Sequence, residues 1–293
     1  MAPHLRERSE TLNNLAFGMK QDRMKDVVIF GVVRPRRLRM CEQSTPKRED
    51  DRPSSQVLVG CCGFPKARAA YYRHFNVVEI QQTFYRLPEV ATVQGWRAEA
   101  PPEFIFTLKA WQLITHEPDS PTYRRSGIAA PETLQGRCGS FRPTPEVAEA
   151  WTRTLQLARA VHAQVVVFQC PARFTPTPEH ISNLRAFFQR IERDHMLLAW
   201  EPRGDWPDEL VRLLCRELEL IHCVDPFQRQ PAYGTPAYFR LHGRTGYRYQ
   251  YTDEDLRQLD DWCRRHPSVY CLFNNVTMWE DALRFQQMIG MKR

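Results

Sequence analysis

The chain has 293 residues, of which 42% are hydrophobic and 26% charged, a balance that excludes collagen-like, coiled-coil and wholly disordered chains. Lys and Arg number 41 against 34 Asp and Glu, which gives a formal charge of +7 and is compatible with anionic partners. No apolar run approaches the roughly 18 residues that a membrane-spanning helix requires.

The cysteine pattern and the N-terminal residues indicate the cellular compartment of the protein. Nine cysteines occur, and none of them belongs to a Cys-x-x-Cys pair. An odd number without paired spacing argues against a disulfide framework and favours a reducing compartment. The N-terminal residues lack an apolar stretch followed by a small-residue cleavage site. We therefore expect a cytoplasmic protein without a membrane partner.

Residues 1–56 differ in character from the rest of the chain. They contain 12 basic and 8 acidic residues and keep no helical or strand period. We expect a basic, disordered extension here, with the folded domain spanning residues 57–293. Two alternatives are a basic arm that binds a polyanion and a translation start placed upstream of the true one at Met40. Residues 27–33 have strand character but no partner nearby.

From residue 57 onward, short runs rich in Val, Ile, Phe and Tyr alternate with stretches of helical period. Eight runs predict strands, at residues 57–63, 77–84, 104–111, 165–170, 197–203, 220–225, 237–243 and 269–275. Seven stretches predict helices, at residues 66–75, 90–100, 145–163, 178–193, 207–218, 252–265 and 277–291. Only the gap between the sixth and seventh strands shows no clear helix.

This order predicts the fold. A strand followed by a helix, repeated over 237 residues, is typical of an α/β protein with a closed (β/α)8 TIM-type barrel. Thr144, Thr177 and Thr252 stand where capping hydroxyls begin helices. The alternative is a doubly wound open sheet, which normally carries Gly-x-Gly-x-x-Gly after its first strand. The segment GCCGFP at residues 60–65 does not match that pattern.

Polar residues interrupt the predicted strands near their C-terminal ends, where barrel active sites are built. They are Glu79, Gln81, Thr83, Lys109, Gln169, Glu201, Arg203, Asp225, Arg240, His242, Asn274 and Asn275. Residues i and i+2 of a strand face the same side, so three pairs are expected to point into the barrel together. These pairs are Glu79 with Gln81, Glu201 with Arg203, and Arg240 with His242. The sequence predicts one polar pocket at this rim. The alternative is a set of internal ion pairs that only closes the barrel top.

Motifs at these strand ends occur in a fixed order along the chain. They are VEIQQTFY at 78–85, TLKA at 107–110 with ITH at 114–116, FQCP at 168–171, WEPR at 200–203, FRLHG at 239–243 and FNN at 273–275. Together they resemble the YecE-like family, domain of unknown function 72, over residues 57–290. The resemblance implies a TIM-type barrel but no particular reaction, because the activity of that family is unassigned. The Cys61 and Cys62 pair, where many members have Ser, and the segment before residue 57 depart from the family pattern.

The mixture of charges indicates an enzyme that binds an anionic substrate, such as a phosphodiester or a sugar phosphate, beside a general acid and a general base. We expect Glu201 to accept a proton, His242 to donate one, and Glu79 to complete the catalytic group. The expected substrate-binding residues are Lys109, Gln169, Arg203, Asp225, Arg240, Asn274 and Asn275.

We also consider a divalent metal as a cofactor, because carboxylates and imidazoles are common metal ligands. The candidates are Glu79, His116, Glu201, Asp225 and His242. No dense ligand motif occurs, so we assign no metal ligand and leave the cofactor unknown.

The alternative function is nucleic-acid binding without catalysis. After the seventh strand, Arg244, Tyr247, Arg248 and Tyr249 interleave basic and aromatic side chains. Such residues pair with phosphates and stack on bases. The competing interpretation is that the two tyrosines pack the loop onto the barrel while the arginines are solvated.

Overall fold

The computed structural model describes residues 55–290. In this part of the chain, eight parallel strands form a closed barrel in which each strand pairs with the next and the last pairs with the first. The strands are β1 Gln56–Cys62, β2 Val77–Ile80, β3 Ile105–Lys109, β4 Ala163–Gln169, β5 Leu197–Glu201, β6 Ile221–Val224, β7 Ala237–Leu241 and β8 Ser268–Phe273. The predicted (β/α)8 TIM-type barrel is confirmed.

Helices connect the strands on the outside of the barrel. Within the described residues the α-helices are α1 Arg68–Tyr71, α2 Gln82–Tyr85, α3 Val90–Glu99, α4 Gln112–Thr115, α5 Pro145–Val161, α6 Pro178–Arg190, α7 Asp208–Glu217, α8 Asp253–Cys263 and α9 Met278–Gly290. The hydroxyls of Thr144, Thr177 and Thr252 accept hydrogen bonds from main-chain N–H groups of α5, α6 and α8. The predicted helix starts are therefore confirmed, as is the gap without a helix between β6 and β7.

Alternation along the strands divides the apolar side chains into two layers. The inner layer fills the barrel with Val77, Val165, Val167, Ala199, Ile221, Cys223, Tyr270 and Leu272. The outer layer is larger and packs the strands against the helices. On the inward face Glu79 follows Val77, and Glu201 follows Ala199, at the next inward position. Polar side chains thus replace apolar ones toward the C-terminal end of the barrel.

The second strand is shorter than predicted. It ends at Ile80, and the last part of the predicted strand 77–84 forms the helix α2. The Thr83 hydroxyl donates to the main-chain oxygen of Lys109 at 2.7 Å, which fixes this turn over the end of β3. The prediction was wrong here because Thr83 and Phe84 are typical strand residues by composition, yet they are buried as parts of a helical turn.

No helix within residues 55–290 combines the length and the apolar character needed to cross a membrane. The predictions of a disordered extension, a basic arm and a strand at residues 27–33 concern residues that lie outside the described part of the chain. The boundary between the extension and the barrel domain stays a prediction.

Gly60 of β1 is required by the close approach of β2, because a Cβ there would lie 2.2 Å from the main-chain oxygen of Val77. We expect Gly60→Ala to lower the free energy of unfolding by about 3 kcal/mol, since neither strand can move without opening the barrel. The control is Gly95→Ala in α3, where the new Cβ meets nothing within 4 Å and should stabilise the helix by about 0.5–1 kcal/mol. Urea unfolding measures both variants, and equal stabilities would contradict this packing.

Candidate functional site

Side chains from five strands meet inside the C-terminal end of the barrel. They are Glu79 from β2, Lys109 from β3, Gln169 from β4, Glu201 from β5 and Arg240 from β7. Four of the five are buried, and Gln169 is half-buried. The expectation that these late-strand residues converge in one place is therefore met by the geometry.

Arg240 is the centre of this cluster, which we call the Arg240 network. Its side chain is 0% exposed. One terminal nitrogen, Nη1, donates to Gln169 Oε1 at 2.8 Å and to Glu201 Oε2. The other, Nη2, lies 3.0 Å from Glu79 Oε1 as an ion pair without hydrogen-bond alignment. A single buried guanidinium thus faces two carboxylates on opposite sides of the barrel.

Glu79 receives its remaining partners from Gln81, which the sequence predicts to share its face, and from Tyr238, which sequence reasoning missed. The Tyr238 hydroxyl donates to Glu79 Oε2 at 2.9 Å, and the Gln81 amide donates to Glu79 Oε1. Tyr238 is in turn 2.7 Å from the Thr107 hydroxyl. Period-two alternation carries the signal that could have found them, because Tyr238 precedes Arg240 by two residues, as Thr107 precedes Lys109.

Glu201 joins the buried network to the solvent-facing rim. Its Oε1 accepts a hydrogen bond from Arg203 Nε at 2.7 Å, and the Arg203 side chain is 31% exposed. Burial alone would raise the pKa of Glu201, but the positive charges of Arg240 and Arg203 outweigh it and hold the pKa well below its usual range. Glu201 is therefore a permanently ionised carboxylate near neutral pH.

His242 lies at the rim, between Arg203 and Asp225. Its Nε2 is 2.6 Å from Arg203 Nη2, and a guanidinium can only donate, so Nε2 is the acceptor and Nδ1 carries the proton. That Nδ1 lies 3.4 Å from Asp225 Oδ2, which also accepts the main-chain N–H of His242 at 2.9 Å. Burial lowers the pKa of His242 against the opposing pull of Asp225 and Glu201, so the imidazole is neutral near pH 7.

Lys109 contrasts with the arginines because it makes no hydrogen bond or ion pair with any described residue. Its Nζ lies 3.5 Å from the centre of the Phe84 ring, and the residue is 4% exposed. Burial, followed by the positive charge of Arg240, lowers the pKa of Lys109 to about 7, although the negative charges of Glu201 and Glu79 oppose the shift. The amine therefore exists partly in its neutral form near pH 7.

A cavity of about 460 Å³ lies at the rim, above the ends of β5, β6 and β7. Its lining includes Glu201, Arg203, Asp225, Arg229, His242, Arg244 and Tyr247. Three arginines thus border an open space next to the imidazole of His242. The two carboxylates that also line it are already paired or hydrogen-bonded.

The two asparagines at the end of β8 differ in their surroundings. Asn274 is half-buried, and among the described residues its side chain has no hydrogen-bond partner, while its main-chain N–H donates to Leu241. The Asn275 amide donates to the Tyr249 main-chain oxygen at 2.8 Å and to Asp281 Oδ2 at 2.7 Å. Asn275 therefore ties the loop after β7 to helix α9 and stands outside the Arg240 network.

The loop after β7 is partly anchored and partly open. Arg244 Nη1 and the Tyr249 hydroxyl both donate to the carboxylate of Asp255, at 2.7 and 2.6 Å. Tyr247 is 53% exposed, and its ring meets the His242 ring edge-on at 5.7 Å. Arg248 is exposed. Asp255 thus holds Arg244 and Tyr249, whereas the side chains of Tyr247 and Arg248 make no hydrogen bond or ion pair with a described residue; the nucleic-acid role of all four stays a prediction.

The candidate metal ligands do not assemble into a ligand set. Among residues 55–290, no three His, Cys, Asp or Glu side chains are placed to hold one metal ion. Glu79 and Glu201 face Arg240 instead. His116 bonds to Thr115 at 2.8 Å through Nδ1, and burial, followed by the nearby Lys109, lowers its pKa to about 3.

Arg240→Met removes the cation that both buried carboxylates face, so we expect it to lower the free energy of unfolding by about 3–5 kcal/mol near neutral pH. Without the cation, burial raises the folded-state pKa of Glu201, and the deficit should shrink as the pH falls and that carboxyl is protonated. Tyr238→Phe is the control, because it removes one hydrogen bond to Glu79 and should cost about 1 kcal/mol. Denaturant unfolding at several pH values measures both, and a smaller loss for Arg240→Met than for the control would refute the ion-pair assignment.

Comparisons with known proteins give the relatives of this chain. Residues 65–293 match the model of the family described as Protein of unknown function DUF72. No curated protein matches the sequence.

Solved structures with a similar fold include two members of that family. A DUF72 family protein from Enterococcus faecalis V583 is 18% identical, with 81% of this chain and 98% of that chain covered and a TM-score of 0.60. One from Thermotoga maritima MSB8 is 22% identical, with 80% and 99% covered and a TM-score of 0.57. A xylose isomerase domain containing protein from Salmonella typhimurium LT2 is 13% identical, with 80% and 95% covered and a TM-score of 0.50.

At these identities the structural likeness shows the fold alone, a TIM-type barrel. The family model, by contrast, covers most of the chain and includes seven of the eight strands. On that match, the chain belongs to the DUF72 family of proteins of unknown function.

Proposed function

We propose that this chain is an enzyme that acts on a small anionic substrate, such as a phosphorylated one, by general acid and base chemistry in the cavity at the barrel rim. The observation that carries the proposal is the contact of Arg203 Nη2 with Nε2 of His242, whose Nδ1 faces Asp225. A cation and a neutral base thus share one edge of an open cavity.

His242 suits the role of general base better than Glu201 does. Both oxygens of Glu201 are held by arginines, and its low pKa makes it a weak proton acceptor. A neutral imidazole oriented through Nδ1 by a carboxylate is the usual form of a general base. In this proposal Glu201 and Glu79 are positioning residues that hold the arginines in place.

Arg203 suits the role of anion-binding residue. Its Nε is fixed by Glu201, and its exposed Nη2 reaches only His242 among the described residues. An incoming phosphate or carboxylate offers Nη2 a charged acceptor, which forms a stronger hydrogen bond than a neutral imidazole. Binding of the anion would then release His242 Nε2 to accept a proton from the substrate.

A second candidate function, nucleic-acid binding, is favoured by the exposed Tyr247 and Arg248 in the loop after β7. In proteins that bind single-stranded nucleic acids, bases stack on exposed aromatic rings and nearby arginines pair with the phosphates. Arg244 and Tyr249, which are held by Asp255, would contribute less than expected from the sequence.

We expect inorganic phosphate to bind in the cavity, and we expect this binding to depend on Arg203. We expect Arg203→Met to weaken phosphate binding by about tenfold or more, because one charge-assisted hydrogen bond is removed. Arg203→Lys keeps the positive charge but loses the planar guanidinium with its several donors, so its phosphate affinity should lie between those of the unchanged protein and Arg203→Met. Arg257→Met is the matched control, since Arg257 is an exposed arginine of α8 that pairs with Glu254. Calorimetric titration at constant ionic strength measures the affinity, and equal affinities for the Arg203 and Arg257 variants would overturn the proposal.

Oligonucleotide binding separates the two candidate functions. If the cavity is the functional site, Tyr247→Ala together with Arg248→Ala should leave any affinity for a short single strand nearly unchanged. If the loop binds nucleic acid, the same change should remove a stack worth about 1–3 kcal/mol and reduce the salt dependence of binding. Fluorescence anisotropy at two salt concentrations measures this, and that loss would favour the nucleic-acid function over the enzyme.

A further inference from the structure

Among the described residues, the buried charged side chains at the barrel mouth form ion pairs within the Arg240 network, with the exception of Lys109. Glu79 and Glu201 face Arg240, and Glu201 also holds Arg203. The amine of Lys109 has no hydrogen-bond or ion-pair partner among residues 55–290, although it lies within the electrostatic reach of all four groups. A lysine kept without a carboxylate partner in such a place is costly to fold, and the roles proposed above for His242 and Arg203 do not require it.

The amine lies at the end of a barrel strand and keeps a small exposed area. Lys109 is the last residue of β3, at the strand end where barrel enzymes place their reactive groups. The side chain is almost wholly buried, but Nζ is not fully shielded from solvent. Phe84 covers one side of the amine at 3.5 Å.

We propose that Lys109 is a nucleophilic lysine that forms an imine with an aldehyde or ketone group of the substrate. This inference rests on the proposed function and deepens it, because it adds a carbonyl group to the anionic substrate that the rim cavity would bind.

The surroundings of Lys109 favour the neutral amine that this reaction needs. Lysines become nucleophilic when they are desolvated or stand beside another cation. Both conditions hold here, because the residue is buried and faces Arg240 and Arg203, while His116 on the remaining side is neutral. The carboxylates of Glu79 and Glu201 oppose the effect only in part, since Arg240 neutralises them. The resulting pKa of about 7 leaves roughly half of the amine unprotonated near neutral pH.

The chemistry balances without a further reactant. The nitrogen lone pair forms a bond to the carbonyl carbon, and one amine proton passes to the carbonyl oxygen to give a carbinolamine. The nitrogen lone pair then forms the C=N bond as the C–O bond breaks, and the hydroxyl leaves as water with the second amine proton. Addition of water reverses these steps and returns the free lysine. While protonated, the imine withdraws electrons from the adjacent carbon, so a proton on that carbon becomes acidic enough for a neighbouring base to remove.

Reductive trapping tests this directly on the full chain. The protein is treated near neutral pH with cyanoborohydride and either acetaldehyde, a neutral probe, or glyoxylate, an anionic one, and the modified lysines are identified by peptide mass spectrometry. The sequence contains only six lysines, and Lys66, which is exposed, is the internal comparator. We expect Lys109 to be alkylated about tenfold or more faster than Lys66, because far more of its amine is neutral. Lys109→Arg should abolish the fast reaction and Lys66→Arg should leave it unchanged.

The outcomes separate the two proposals. Fast trapping at Lys109 with both probes, half-maximal near pH 7, supports the imine. Fast trapping with acetaldehyde but no advantage for glyoxylate, and no effect of Arg203→Met on either, supports the imine and counts against the anionic substrate. Trapping at Lys109 that is no faster than at Lys66, or that occurs only in denaturant, overturns the imine whatever the phosphate titration gives.

Discussion

The ion pairs of Arg240 with Glu79 and Glu201 are the constraint on which the mouth of this barrel depends. A guanidinium with no exposed surface costs several kcal/mol to desolvate unless carboxylates face it. β2 and β5 each supply one of them, across the interior from β7. Once Glu201 is in place, its second oxygen positions Arg203, and Arg203 in turn reaches His242. A single buried cation thus organises groups from the barrel interior to the rim.

The same ion pairs determine which groups can exchange protons. Arg240 and Glu201, which form an ion pair, keep their charges because each holds the pKa of the other away from neutrality. His242 and Lys109 stand at the edges of the network, where burial and nearby cations favour their neutral forms. Arg240 and Glu201 therefore stay charged near neutral pH, whereas the nitrogen atoms of His242 and Lys109 can take up or release protons there. This division is the physical basis of both the acid–base proposal and the imine proposal.

Much of this arrangement follows from local sequence rules. Threonine caps at Thr144, Thr177 and Thr252 marked helix starts, and apolar runs marked all eight strands. Period-two alternation placed Glu79 and Arg240 on the inward face before any contact was known. The resemblance of the strand-end motifs to domain of unknown function 72 agrees with the family match.

The pairing inside the barrel could not be predicted in the same way. Arg240 is separated from Glu79 by 161 residues, and which carboxylate meets which cation depends on the register of strands that are not adjacent in the chain. Tyr238 and Thr107 escaped notice because both are common strand residues and carry no charge. Asn275 stays a predicted substrate contact, and sequence rules did not indicate that its amide bonds to Asp281 of helix α9. Whether His242 acts as an acid or as a base also could not be read from the sequence. Only the hydrogen bond from Arg203 shows that Nε2 is the ring nitrogen without a proton.

The protonation state of His242 tests the acid–base proposal most directly, because that proposal begins from the neutral imidazole. Nitrogen NMR of histidine-labelled protein, assigned with a His242→Gln variant, reports the proton on each ring nitrogen as a function of pH. We predict a neutral ring near pH 7, with the proton on Nδ1 toward Asp225 and none on Nε2. An imidazolium at that pH, or a proton on Nε2, would contradict the account.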